Sequence, residues 1–133
     1  FFAAMPARGS RPCRIMQLWS LGGYVLGAAT ARAGRRTIWV CTAAVEETVH
    51  RHLDEQMHFL APRDRGLYDV IASIRDEELA HLTHAEQQLA SAPQTQPARS
   101  LHHSITVITE ALIWLSTWGD SPRMARALKE ARA

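Results

Sequence analysis

Two glutamates stand inside apolar helical stripes, and no fold of this chain is stable unless both find a partner. Thr42, Glu46, Val49, Leu53, Met57 and Leu60 recur at steps of three and four residues, as do Ile71, Ile74, Glu78, His81, Leu82, Ala85 and Leu89. That spacing puts each set on one face of a helix. Glu46, Glu78 and His81 therefore fall where core residues are expected. An ionised carboxylate taken out of water costs several kcal/mol unless it is paired or bound to a cation. Two carboxylates facing one interior call for a metal ion.

The spacing within the second stripe is also chemically specific. Glutamate and histidine at i and i+3 project from one turn, so a carboxylate oxygen and an imidazole nitrogen can hold one ion while a glutamate on a neighbouring helix bridges. This is the half-site of a ferritin-like bundle, in which each helix pair contributes one Glu and one Glu-x-x-His. Oxygen-rich donors with one imidazole per metal suit iron or manganese over zinc. Glu-x-x-His alone also arises by chance on solvated helices; Glu46, on an apolar stripe one helix away, is what adds weight. His50, one turn after Glu46, is read as a flank residue, and His102 and His103 as solvated.

No segment alternates with period two, so the expected class is all-α. Residues 1–14, broken by Pro6, Gly9 and Pro12, read as a connector. A helical half-bundle is expected over 15–118 and a tail over 119–133. Within it, an uncharged helix covers Ile15–Ala31. Further helices cover about 37–60, ending near Ala61-Pro62, about 63–91, and about 98–118, closed by Gly119. Ala92–Pro97 is expected to be a loop because it holds two prolines. Ile105, Ile108, Leu112 and Leu115 are expected as the packing stripe of the last long helix, and the tail as a short exposed helix after Pro122.

Charge is distributed unevenly. Before Glu46 there are six arginines (Arg8, Arg11, Arg14, Arg32, Arg35, Arg36) and no acidic residue. With no aromatic or basic ladder beside it, this pattern suggests an anionic lipid surface rather than nucleic acid. The 17 uncharged residues from Ile15 to Ala31 would make a helix of about 25 Å, short of the roughly 30 Å hydrocarbon core. Lying in a membrane interface or buried in the bundle are the two readings that fit; a secretory signal peptide fits less well, given the glycines and the fourteen residues upstream. Cys13 and Cys41 read as free thiols rather than a disulfide framework. A start on Phe1-Phe2 inside an apolar run reads as a fragment or a processed form.

The runs Cys41-Thr42-Ala43-Ala44-Val45-Glu46-Glu47, His52-Leu53-Asp54-Glu55-Gln56 and Arg75-Asp76-Glu77-Glu78-Leu79-Ala80-His81 resemble the demethoxyubiquinone hydroxylase family. Leu18-Trp19, Leu26 to Ala31 and Ala111 to Ser116 match it in the same order. The resemblance implies a ferritin-like four-helix bundle, here without its first two bundle helices. It implies a monooxygenase of ubiquinone biosynthesis that uses two irons and O2 to hydroxylate the ring of a polyprenylated quinone, with NADH as the electron source. It also implies peripheral attachment to the bacterial cytoplasmic membrane, or to the matrix face of the mitochondrial inner membrane, and a lipid-binding partner in eukaryotes. By position, Glu46 resembles the bridging carboxylate, Glu78 a second ligand and His81 the imidazole ligand. His52, Glu47 and Glu77 match positions beside the iron site, and Leu53 stands where many members have tyrosine.

Two other readings stand beside this one. The first is a non-catalytic lipid-binding or scaffold paralogue. The second is a ferritin-like iron-binding protein in which a homo-oligomer rebuilds the site from two half-sets of three donors.

Overall fold

The computed structural model describes residues 16–90, 95–117, 122, 126 and 129. Among them are four helices and no strand: α1 (Met16–Arg32), α2 (Arg35–Leu60), α3 (Arg65–Ala90) and α4 (Gln96–Ser116). The expected connector, Cys13, Gly119 and most of the tail lie outside these residues.

Local chemistry sets the boundaries. Between α1 and α2 the chain turns at Gly34, whose φ of 106° lies in the region that a side chain strains. Its carbonyl accepts from the Thr37 N–H at 3.0 Å, which starts α2 at once. At the far end Pro62 stops the helix. Asp64 then caps α3, its Oδ1 accepting from the Leu67 N–H at 2.9 Å. The loop expected over Ala92–Pro97 ends earlier than foreseen: Gln96 and Pro97 belong to the first turn of α4. A proline there loses nothing, because the first N–H groups of a helix have no intrahelical partner.

Helix α2 is the hub, and α1, α3 and α4 each pack on it. Cys41, Ala44 and Ile105 form the buried centre, joined by Leu26 from α1 and by Val45 and Leu101. Cys41 is a free thiol, as expected, and burial raises its pKa. Small residues on α2 allow this approach, for Ala43 and Ala44 are both buried. The packing stripe of α4 differs from the one expected. Leu101, Ile105 and Thr109 turn inward, while Ile108 and Leu115 are exposed. Steps of four keep the first three in line, and Ile108 falls about 60° off that line at about 100° per residue.

Helix α1 shows most of its length to solvent, including Leu18, Leu21, Tyr24 and Val25. No described helix is long and apolar enough to cross a membrane.

Candidate metal centre

Helices α2 and α3 run side by side after a short turn, which brings Glu46 opposite Glu78. The Nδ1 atom of His81 lies 3.5 Å from Glu78 Oε2 and 3.9 Å from Glu46 Oε1. One donor atom from each of the three falls within 4.8 Å of the other two. The helical step from Glu78 to His81 and the facing stripe on α2 together produce this convergence.

The electrostatics at this point are strained. Burial, then a hydrogen bond and charge repulsion from Glu78, push the Glu46 carboxyl up from 4.5 to about 8. Its side chain is only 16% exposed, so solvent relieves little of this. At neutral pH the protein manages the pair by sharing a proton across two carboxyl groups. A divalent cation would replace that proton, since ionised oxygens and an imidazole nitrogen are its ordinary ligands. The donor set thus fits a metal ion, and it fits iron or manganese by the same oxygen-rich count.

His81 does not occupy the core position expected of it, because its side chain is 65% exposed. The face of α3 against α2 centres on Ile71, Glu78 and Ala85, spaced by seven residues. His81, three residues after Glu78, lies on the shoulder of that face, and among the described residues no further helix covers it. The centre is therefore an open half-site, with carboxylates toward the seam and the imidazole at its rim.

The remaining site residues are placed elsewhere. His52 is buried but turned toward α4, with Nδ1 3.1 Å from Glu55 Oε2 and Nε2 3.0 Å from Glu110 Oε2. Glu110 also pairs with Arg51. Glu47 is mostly exposed and pairs with Nε2 of His102 at 3.3 Å, so His102 is engaged rather than simply solvated. Glu77 is exposed. His50 faces Asp54, its Nε2 3.7 Å from Oδ2, and Asp54 in turn holds Arg75 of α3. This last pair ties the two donor helices together two turns from Glu46.

Sequence reasoning missed Glu110. A signal existed, for it is the only acidic residue between Glu86 and Asp120 and interrupts the apolar run Ile105–Leu115. A lone carboxylate on such a face needs a partner, and buried His52 supplies it.

Comparison with known proteins places the chain among relatives of one kind. The chain is 40% identical over 85 residues to a rat protein named NADPH-dependent 3-demethoxyubiquinone 3-hydroxylase, mitochondrial, covering 61% of this chain and 39% of the relative. A Dictyostelium discoideum protein of the same name is 32% identical over 111 residues, covering 80% and 50%. A Rhodospirillum rubrum 3-demethoxyubiquinol 3-hydroxylase is 36% identical over 74 residues, covering 56% and 35%. The chain thus spans from about a third to half the length of these curated relatives. The family model described as ubiquinone biosynthesis protein COQ7 matches residues 1–116, seven-eighths of the sequence, and the chain belongs to that family.

Proposed function

We propose that this chain forms part of a 3-demethoxyubiquinol 3-hydroxylase, in which Glu46, Glu78 and His81 hold iron and a polyprenylated quinone is the substrate. The observation that carries this reading is the convergence of three donors around a carboxyl held protonated to about pH 8. The names of the relatives supply the reaction class, and a reduced nicotinamide is the electron source. Those names favour NADPH over the NADH that family resemblance implied.

Two irons and O2 fit this donor chemistry, and bound iron would supply reductive activation of dioxygen for ring hydroxylation. The work of the chain itself is to set the donors. Glu46 releases its proton as metal enters, Glu78 shares the same seam, and His81 presents Nδ1 at the open rim. Asp54 and Arg75 hold α2 and α3 in register. His52 acts at a distance by fixing α4 on α2, and Glu47 and Glu77 stay at the solvent edge. The exposed side chains of α1 would lie against the membrane from which a polyprenylated quinone arrives. Attachment is peripheral, at the bacterial cytoplasmic membrane or the mitochondrial inner membrane, with a lipid-binding partner as a further contact.

Anaerobic Fe(II) titration tests the metal reading. Stoichiometric binding is expected in the parent chain, with at least a hundredfold loss on Glu78→Ala and one proton released per Glu46 at pH 7. The number of irons per chain, read with the oligomeric state, tells whether a second copy supplies further donors. Equal affinity in the variant removes the centre. Failure of the iron-loaded full-length protein to hydroxylate a demethoxyubiquinone analogue with reduced nicotinamide removes the reaction.

A further inference from the structure

His50 follows Glu46 by four residues on α2, so the two are neighbours on one face of the helix, with Cβ atoms about 5–6 Å apart. Its side chain is only 18% exposed. The Nδ1 atom is buried and meets no hydrogen-bond partner among the described residues. On the other side of the ring, Nε2 faces Asp54 Oδ2 at 3.7 Å, and Asp54 is held in place by Arg75 of α3. An imidazole nitrogen left idle in the interior carries a cost, because water is lost there and nothing in the protein replaces it.

Helix geometry gives these side chains a direction. Each leans back toward the N-terminal turn, over the residues three and four positions earlier. Asp54 thus leans on His50, and His50 leans toward Glu46. A carboxylate beside Nε2 favours the tautomer with its proton there, which leaves Nδ1 as a bare lone pair. A carboxylate behind one imidazole nitrogen, with the other nitrogen free, is the arrangement that orients metal-bound histidines. A plain ion pair accounts for the Asp54 side of the ring but not for the buried lone pair opposite. The converged trio also has room for a further donor: Glu46, Glu78 and His81 bring one atom each within 4.8 Å of one another, and His50 stands outside that set as its side chain lies. Three protein donors fall short of the roughly four to six ligands that a divalent transition metal takes.

We propose that His50 is a fourth donor of the metal centre, turning Nδ1 onto the ion while Asp54 orients its ring from behind. The proposal rests on the reading of Glu46, Glu78 and His81 as metal ligands and adds a residue to it. It also sharpens the choice of ion. Two imidazoles with a carboxylate are the donors of Fe(II) sites that keep positions open, whereas manganese suits oxygen donors, so His50 tilts the centre toward iron.

Titration of the full chain with Co(II), followed by X-ray absorption of the loaded protein, tests the proposal, because outer-shell scattering counts the imidazole rings on the ion. Two rings are expected in the parent chain. His50→Gln should leave one ring, lower Co(II) affinity about tenfold at unchanged helicity, and reduce the preference for Fe(II) over Mn(II). Asp54→Asn should keep both rings and weaken binding about threefold, as expected of a group that acts through the histidine. The ring count of the parent carries the test alone if His50→Gln loses helicity. A single ring in the parent, or a folded His50→Gln variant with the ring count or the affinity unchanged, overturns the proposal and leaves the three-donor centre standing. A parent chain that binds no Co(II) removes the centre and the proposal together.

Discussion

Helix α2 buries polar side chains along two seams, and the seams handle them in opposite ways. Toward α4, Thr48 and His52 find partners within the protein. Thr48 returns its hydroxyl to the Ala44 carbonyl at 2.8 Å, and His52 is bracketed by Glu55 and Glu110. Toward α3, Glu46 and Glu78 face each other with only His81 at the rim. A buried polar group that is satisfied by its own protein contributes specificity. One held only by a proton shared with a second carboxyl marks a place where something from outside belongs.

The comparison breaks first if the α4 seam is not the one that carries stability. Ile105 is nearly fully buried at its centre, so Ile105→Ala should cost about 3 kcal/mol through lost transfer energy and a cavity. Chemical denaturation measures this, and a loss under about 1 kcal/mol would contradict it.

A smaller effect tests the strained seam. Glu46 holds its proton to about pH 8 when folded, against an ordinary value of 4.5. Below pH 4.5 both states are protonated and nothing is lost. Between pH 4.5 and 8 the unfolded chain releases the proton while the folded chain retains it, so stability of the metal-free chain falls as pH rises, then levels off. The fall should be on the order of 2 kcal/mol once residual solvent is allowed for. Glu46→Gln should flatten the profile across that window, and saturating metal should reverse its sign.

The smallest effect sharpens the opposite seam. His52→Ala leaves Glu110 with Arg51 alone and should cost about 1 kcal/mol, with iron affinity changed less than threefold. Loss of iron affinity along with stability would place His52 in the metal centre after all.

Much of this organisation was legible in the residues. Helix limits follow from Pro62, Gly34 and the apolar spacing, and Glu46 and Glu78 could be read together because each breaks an apolar stripe. His81 was misjudged because a step of three moves a side chain about 60° off the line of its neighbour, enough to bring it from seam to rim. The link between His52 and Glu110 joins residues 58 positions apart. No local pattern reports which way a buried imidazole turns until a third helix is in place. Pro97 was taken as a breaker, although the first turn of a helix is where proline does least harm.

The short turn between α2 and α3 has a consequence for assembly. All three donors sit on sequence-adjacent helices joined by a four-residue link, Ala61 to Asp64. Bringing them together closes a small loop, which costs little chain entropy compared with pairing distant segments. A helical hairpin can therefore gather the ligands while α1 and α4 are still detached. The metal proposed for this site would then be captured early, as a staple that the later helices fold around.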